Sequence, residues 1–444
     1  MSESASYSNK DEGPRGHVQL DSVHVHNDTL LLKASYDRRL TRYLTTGLFY
    51  ARYDFPIDQV PRPILVIPLL GLLVPIAWLT GAEIRVGDVD EQYLESLPLL
   101  AREFRRMFPK VNFSERIEAH PVTIKWEWED AKYCLLYSRG VDSTSSLIRN
   151  LEKRPALMTV RGTPDVLLHE EDYWSRVQDR VKPFVRGLGV EPHVVETNAI
   201  DMFRRDSMKS DFESRLGVGW WEGLAHGLFL LSICAPYTYV DRIGNLMIAS
   251  TYTRENQKPW GSNPMTDEKV RWGGIKVIHD SYDLDRVEKI RQVLAPFMKG
   301  TGTSVPLRVC IGNETVRLAS NELNCGRCSK CMMVEFTLLI SGIDPGKCGF
   351  DISPESLMAL KRNMETGRFG REVDPATWLY VKRNAMGIPE DVVRAHPGLG
   401  DFLKWFAVWD ERTVNRNRSL NLVAPRGSRR RNVARALFGR TRDE

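Results

Sequence analysis

The chain of 444 residues is expected to form an α/β protein built on a doubly wound, mostly parallel sheet. Two observations predict this fold class. Short apolar segments alternate with longer amphipathic ones through the middle of the chain, which is typical of strands that alternate with helices. A turn rich in hydroxyl side chains, YSRGVDSTSSL at residues 137–147, follows one apolar segment. Ligands of such sheets bind beyond the carboxyl ends of the strands, where this turn is expected to lie.

The middle of the chain supplies the elements of this sheet. Six strands are predicted there: Tyr133–Tyr137, Ala156–Val160, His193–Glu196, Leu246–Ser250, Ile275–His279 and Leu307–Cys310. The predicted helices between and after them are Ser143–Leu151, Asp172–Gly187, Glu222–Cys234 and Leu284–Met298. An earlier strand is indicated by alternation with polar neighbours, at Val122, Ile124, Trp126 and Trp128.

The rest of the sequence suggests five regions. Residues 1–16 are polar and are expected to be disordered. An α+β N-terminal domain is expected at 17–121 and the α/β domain at 122–345. A helical C-terminal region follows at 346–423, with helices predicted at Leu357–Met364, Trp378–Met386 and Phe402–Trp409. Residues 424–444 form a basic tail.

The net charge of +5 does not indicate a nucleic-acid-binding surface. Seven arginines and two acidic residues between Ala424 and Glu444 account for the whole excess. The remainder is close to neutral, so a nucleic-acid partner is not expected. The tail is expected to be solvated and disordered, with contact to an acidic partner as the alternative.

One segment reaches the length of a membrane span. Residues 64–82, ILVIPLLGLLVPIAWLTGA, carry no charge, but two prolines and two glycines interrupt them. We expect a buried core segment and no membrane partner. The polar start of the chain lacks an apolar signal core, and the cysteine count of seven is odd. Both features favour a reducing cytoplasm.

The turn after the first α/β strand has the chemistry of a phosphate site. A helix N-terminus presents unpaired N–H groups and a partial positive charge to anions. Gly140 allows close backbone approach, and the hydroxyls of Ser138, Ser143 and Thr144 can donate hydrogen bonds to phosphate oxygens. Asp142 is explained either as a Mg²⁺ ligand or as a helix cap. The Walker pattern GxxxxGK[ST] is absent.

Three cysteines at CxxCxxC spacing predict a metal site. Cys325, Cys328 and Cys331 are separated by two residues each, and zinc takes four ligands. Cys310 and Cys348 are the candidates for the fourth. An iron–sulfur cluster is the alternative, but ferredoxin spacing requires a cysteine where Glu335 stands.

These motifs resemble a known family. SRGVDS at 138–143 resembles the SGGxDS motif of the PP-loop ATP pyrophosphatases, with Arg139 where that family has glycine. There the loop grips the pyrophosphate end of ATP while a substrate is adenylated. A distant cysteine followed by CGxCxxC is similar to 7-cyano-7-deazaguanine synthase and its relatives, whose four cysteines hold zinc. The resemblance covers residues 130–345 and favours Cys310 as the fourth ligand. It implies an adenine nucleotide alpha hydrolase-like sheet.

The resemblance and the loops at the predicted ligand edge together suggest roles for individual residues. The expected catalytic residues are Asp142, Ser143 and Arg139. The expected nucleotide-binding residues are Ser138, Gly140, Thr144, Asn198 and Ser250. The expected substrate-binding residues are His226, Trp260 and Ser262. The expected metal ligands are Cys310, Cys325, Cys328 and Cys331, and the expected cofactors are ATP, Mg²⁺ and Zn²⁺.

The expected reaction is ATP-dependent adenylation of a carboxylate, or of a carbonyl oxygen, in a small molecule or peptide. Pyrophosphate leaves, and ammonia or an amine then gives an amide, or a nitrile after dehydration. One alternative is sulfur transfer to an adenylated base, which needs a cysteine free of metal, and Cys348 is the candidate. The other is a non-catalytic, zinc-held nucleotide-binding protein in which Arg139 crowds the loop. A homodimer is left open.

Overall fold

The computed structural model describes residues 16–409 except 125, 127–131, 311–322, 327 and 366–374. The side chains of 375–379 are also left out of the description. Three predictions concern other residues and therefore lie outside the described part: disorder at the start of the chain, the strand position of Trp128, and the basic tail.

A single ten-stranded sheet is formed by strands that lie between residues 17 and 280. Its strands are β1 His17–His26, β2 Thr29–Tyr36, β3 Leu48–Tyr53, β4 Glu83–Asp90, β5 Ile117–Val122, β6 Lys132–Leu136, β7 Ala156–Arg161, β8 Pro192–Thr197, β9 Ile243–Ala249 and β10 Lys276–Asp280. Their spatial order is β10-β9-β6-β7-β8-β3-β2-β1-β4-β5. The strands β6 to β10 are all parallel to one another. The predicted α/β class with a mostly parallel sheet is confirmed.

The order of the parallel strands reverses once. From β6 the chain moves outward through β7 to β8, then returns to the other side of β6 to form β9 and β10. The loops after β6 and β9 therefore follow neighbouring strands, and the chain continues to one side of the pair after β6 and to the other side after β9. Crevices at such reversals are where open α/β sheets bind ligands.

Five of the six predicted α/β strands are confirmed within three residues at their ends. The signal from Val122 to Trp126 marks only the last residue of β5, because Ile124 and Trp126 lie in the following loop. The strands β1 to β5 continue the same sheet through the antiparallel pairing of β3 with β8. The predicted boundary at 121/122 therefore falls inside one sheet.

Helices flank or follow the strands. They are α1 Arg62–Leu65, α2 Ile67–Thr80, α3 Glu91–Met107, α4 Val141–Arg149, α5 Glu171–Gly187, α6 Arg205–Leu216, α7 His226–Ser232, α8 Ala235–Val240, α9 Pro264–Asp267, α10 Arg286–Glu288, α11 Ala295–Thr301, α12 Ser329–Ile340, α13 Pro354–Glu365, α14 Pro375–Ala385, α15 Glu390–Ala395 and α16 Leu399–Val408. Short 3-10 turns lie at Arg38–Arg42, Leu151–Lys153, Ala199–Met202 and Pro345–Cys348, and π-helical turns at Trp221–Ala225 and Lys289–Leu294.

The chain divides into two compact units. The first contains the sheet and comprises the residues up to Glu171 together with Val185–Asp285. The second comprises Asp172–Phe184 and the chain from Arg286 onward. This division differs from the predicted one, in which 122–345 was a single domain holding both the hydroxyl-rich turn and the cysteines. The turn belongs to the first unit and the cysteine cluster to the second.

Most of the apolar segment 64–82 forms α2, and every residue of this helix is buried. A second apolar stretch, Trp221–Val240, is long enough to cross a membrane, but 78% of it is buried. Gly71 of α2 lies directly against Ser232 of α7, so a Cβ atom at position 71 would have no room. The prediction that residues 64–82 supply core is confirmed.

The sixth predicted strand, Leu307–Cys310, is wrong. The segment is apolar and buried, but its polar groups bond to a side chain and a loop. Asn324 accepts a hydrogen bond from the N–H of Val309 at 2.8 Å and donates one to the carbonyl of Leu307 at 2.8 Å. The N–H of Leu307 donates to the carbonyl of Cys348 at 3.0 Å. One buried amide thus takes the place of a neighbouring strand.

Replacing Gly162 by alanine should destabilise the protein far more than the same change at Gly189. Both glycines have positive φ, 92° and 68°, where a side chain costs about 1–2 kcal/mol. At Gly162 the added Cβ atom would also overlap the carbonyl of Thr197 at the end of β8, whereas at Gly189 it meets nothing. We expect losses above about 3 and near 1 kcal/mol respectively, measured by urea unfolding. Equal losses would contradict the close approach of the strand ends.

Candidate functional site

The turn between β6 and α4 is closed by its own hydroxyl groups. Ser138 is exposed, and its Oγ lies 3.2 Å from the Oγ of Ser143, which is buried. The N–H of Gly140 donates to Ser138 Oγ at 3.4 Å, and that of Thr144 donates to the Gly140 carbonyl at 3.0 Å. These contacts fix the loop and leave a hydroxyl at its surface.

Arg139 occupies a strained position in this turn. Its φ is +69°, in the left-handed region that favours glycine. The residue is only 4% exposed, so the long cationic side chain folds into the protein. Glycine adopts this φ without steric cost, which explains why the SGGxDS motif has glycine at this position. This chain has arginine there instead. Strain of this kind persists only where surrounding contacts enforce it, and it gathers at functional sites.

The start of α4 is open to an anion. Its N-cap residue is Gly140, which has no side chain to cover the amides of the first turn. Asp142 is the second residue of the helix and is half-buried. It is therefore not the N-cap residue, but an acidic residue in the first turn also stabilises a helix N-terminus. The turn therefore combines helix amides, a surface hydroxyl and a carboxylate.

Of the residues predicted to bind nucleotide, one is buried and two are engaged in other hydrogen bonds. Thr144 is fully buried, so its hydroxyl is enclosed. Asn198 accepts from the N–H of Tyr50 at 2.9 Å and donates to the Leu48 carbonyl at 2.8 Å, which extends the β3–β8 pairing by one step. Ser250 donates its hydroxyl to the Tyr252 carbonyl at 2.5 Å and shapes the loop after β9. We correct Asn198 and Ser250 to structural roles, and the nucleotide-binding role of Thr144 stays a prediction.

The loop after β9 packs against the start of α7. The ring of His226 lies 6.5 Å from the ring of Trp260, which in turn lies edge-on to Tyr252 at 5.6 Å. The N–H of Gly261 donates to the carbonyl of Glu222 at 2.7 Å, within the π-helical turn. Such turns are frequent at functional sites. The structure therefore brings the predicted substrate residues His226 and Trp260 together.

Ser262, the third predicted substrate residue, belongs to a buried network. Its Oγ donates to Asp267 Oδ2 at 2.7 Å, and the same oxygen lies 2.8 Å from Nδ1 of His279. The prediction that Ser262 binds a substrate carboxylate is therefore wrong, because a carboxylate of the chain already holds it. Sequence reasoning missed Asp267 and His279, which are 12 residues apart and meet only through the loop.

The four predicted metal ligands form one cluster in the second unit. The Sγ atoms of Cys310, Cys325, Cys328 and Cys331 all lie within 4.8 Å of one another. Cys348 lies apart from them, buried, with its Sγ 3.8 Å from the Sδ of Met298. The prediction of Cys310 as the fourth member is confirmed.

The cluster has the dimensions of a single tetrahedral ion. The Sγ of Cys331 lies 3.8 Å from that of Cys325 and 3.3 Å from that of Cys328. Metal–sulfur bonds of about 2.3 Å place tetrahedral ligands about 3.8 Å apart. The hydrogen bond with Cys310 raises the pKa of Cys328, but those with Cys325 and Cys331 lower it to about 7. The hydrogen bond with Cys310 raises the pKa of Cys325, and burial raises that of Cys331, so Cys328 is the thiol of the three that most readily becomes a thiolate.

Two residues around the cluster escaped the sequence reasoning. Asn324 bonds the backbone of Leu307 and Val309, and so joins the segment before Cys310 to the segment that carries Cys325. In the sequence, only its position directly before the CxxCxxC motif could have indicated this role. Glu335, one helical turn after Cys331, is completely buried, and neither carboxyl oxygen has a hydrogen-bond partner among the described residues. Burial, followed by the negative charges of Cys328, Asp351 and Cys310, raises its pKa well above the ordinary range.

Comparison of the chain with protein-family models, with curated proteins and with solved structures found no match. The assignment of the turn and the cluster therefore depends on their own geometry.

Arg139→Gly should lower stability even though it relieves backbone strain. Arg154 is the control, since it is exposed and also has positive φ, 44°. Arg154→Gly should gain up to about 1 kcal/mol from strain relief. Arg139→Gly should lose about 1 kcal/mol, because removal of a buried side chain outweighs that gain. Urea unfolding measures both, and an equal gain in the two variants would show that the Arg139 side chain contributes nothing to the fold.

Cys328→Ser should remove the metal and destabilise the second unit, because binding free energy at such sites is also folding free energy. Elemental analysis of the native protein should give about one zinc per chain. Cys348→Ser is the matched control, since it changes a buried thiol outside the cluster and should leave the metal content unchanged. A native protein that is metal-free and fully stable would refute the site.

Proposed function

We propose that this protein is an ATP-dependent ligase that adenylates a carboxylate, or a carbonyl oxygen, of a small molecule or peptide and releases pyrophosphate. An amine or ammonia then replaces AMP to give an amide, or a nitrile after dehydration. The observation that carries the proposal is the strained, serine-lined turn at the carboxyl end of β6, where the strand order reverses. The adenine nucleotide alpha hydrolase-like fold, with zinc in the cysteine cluster, is part of the same proposal.

The strand order supports a nucleotide site at this place. The loops after β6 and β9 leave neighbouring parallel strands in opposite directions. The loop after β6 carries the open helix N-terminus, and the loop after β9 carries Trp260 beside His226. Phosphates fit the first loop, whose amides and Ser138 hydroxyl are hydrogen-bond donors. The second loop offers aromatic surface to a substrate.

Each residue of the turn has a task in this proposal. The α4 amides and Ser138 bind the oxygens of the leaving pyrophosphate, and Ser143 holds Ser138 in place. Asp142 binds the Mg²⁺ that neutralises charge on the leaving group. Arg139 directs its guanidinium to an oxyanion in paired, charge-assisted hydrogen bonds. A covalent nucleophile on the protein is not needed.

The sulfur-transfer alternative is weaker. It needs a reactive thiol, and Cys348 is completely buried, with burial raising its pKa to about 12. Buried thiols with raised pKa are inert. The non-catalytic alternative is favoured by one observation, the burial of the Arg139 side chain within the loop. It predicts that Arg139→Gly binds ATP where the native protein binds none, whereas the ligase proposal predicts weaker ATP use in that variant.

Asp142→Asn should abolish pyrophosphate release without unfolding the protein. Loss of a Mg²⁺ ligand at the leaving group costs several kcal/mol of transition-state stabilisation, so the rate should fall by about 100-fold or more. The assay measures pyrophosphate from MgATP against a panel of carboxylates, with product masses.

Asp206→Asn provides the control, because Asp206 is also the second residue of a helix, α6. It should leave the rate unchanged. If Asp142→Asn turns over at the native rate, Asp142 serves only the helix and the assignment of the turn fails.

A further inference from the structure

We propose that His279 is the general base that takes a proton from the nitrogen nucleophile, and that Asp267 and Ser262 hold it in the reactive form. The inference rests on the proposed ligase function and adds a second catalytic group at the same sheet edge. Nothing in the sequence motifs points to Asp267 or His279, which meet only in the folded chain.

The network is built inside the protein. The side chains of Asp267 and His279 are each 1% exposed, and they are joined by the 2.8 Å contact between Oδ2 and Nδ1. Ser262 donates to the same oxygen at 2.7 Å. The helix α9 that carries Asp267 is fixed by a reciprocal cap, in which Asn263 and Thr266 bond each other's backbone N–H groups. Two hydrogen-bonding groups thus hold one carboxylate oxygen, and the cap fixes the backbone that carries it.

This arrangement sets the tautomer of the imidazole. Asp267 Oδ2 can only accept, so Nδ1 of His279 carries the hydrogen, and Nε2 is left with its lone pair. No described residue forms a hydrogen bond with Nε2. The other carboxylate oxygen, Oδ1 of Asp267, is buried without a hydrogen-bond partner among the described residues, packed against Gly227. A buried carboxylate oxygen left unsatisfied is costly, and a purely structural anchor does not require one.

The position of the network suits the second step. His279 lies near the carboxyl end of β10, the strand beside β9, and the loop after β9 carries both Trp260 and Ser262. The backbone of the two strand ends is joined directly, since the N–H of Ser250 donates to the Asp280 carbonyl at 2.8 Å. His279 therefore stands on the same sheet edge as the loop that carries the substrate-binding aromatic residues.

The step balances with groups already named. The nitrogen attacks the acyl carbon of the adenylated carboxylate, and a C–N bond forms. The C–O bond to AMP breaks, its electron pair leaves on the AMP phosphate, and nitrogen loses one proton. His279 Nε2 accepts that proton and passes it to water. Asp267 stabilises the imidazolium while it carries the charge.

The test separates the two half-reactions. With a carboxylate that supports ATP–pyrophosphate exchange and with ammonium chloride as nitrogen source, His279→Gln should leave exchange within about twofold of native. Amide formation should fall by about 100-fold or more. Asp267→Asn should also lower amide formation selectively. His193→Gln is the control, because His193 is likewise paired with an aspartate, Asp54, but near the amino end of β8. It should change neither rate.

Each possible result of this experiment leads to a different conclusion. Native-like amide formation in His279→Gln overturns the inference alone, since exchange still supports the ligase. Loss of exchange and amide formation together shows a structural role and also overturns it. No exchange by the native protein with any carboxylate overturns the ligase proposal and this inference with it. Nitrogen NMR gives a separate check: a hydrogen on Nε2 of neutral His279 would exclude it as a base.

Discussion

The parallel pairing of β6 with β9 is the constraint from which the rest of the site follows. Strand β6 supplies the turn at Ser138, and strand β9 supplies the loop that reaches Trp260. Because both strands end at the same edge, one reversal of strand order places the serine-lined turn after β6 beside the aromatic loop after β9. The strand ends also approach closely elsewhere along this edge, as at Gly162, where the backbone of β8 leaves no space for a side chain.

Backbone strain and an unsatisfied buried polar atom both occur at this edge. Arg139 and Ser281, after β6 and β10, both take positive φ, and Asp267 keeps a buried oxygen without a described partner. The opposite edge also carries residues with positive φ, Arg154 before β7 and Arg242 before β9. There His193 and Asp54 form a satisfied pair, in which burial lowers the pKa of His193 but the hydrogen bond and charge of Asp54 raise it overall.

The sequence predicted what depends on local pattern and missed what depends on long-range contact. Strand and helix alternation identified β6 to β10, and CxxCxxC spacing identified three of the four clustered cysteines without geometry. Periodicity alone could not separate Leu307–Cys310 from a strand, because Asn324 supplies its hydrogen bonds from 15 residues away. Nor could it show that Ser262 bonds a carboxylate of the chain, since that required Asp267 to fold back on the loop.

Arg139 departs from the rule that residues with positive φ are usually glycine. Glycine would satisfy the backbone at this φ at no steric cost, and selection for stability alone would favour it. This chain instead has Arg139, which is only 4% exposed and lies directly before Gly140, the N-cap residue of α4. A buried guanidinium needs acceptors, and it adds positive charge where the helix already favours anions. The positive charge of Arg139 and the N-terminus of α4 are the reason that the proposed ligase function assigns an oxyanion to this turn.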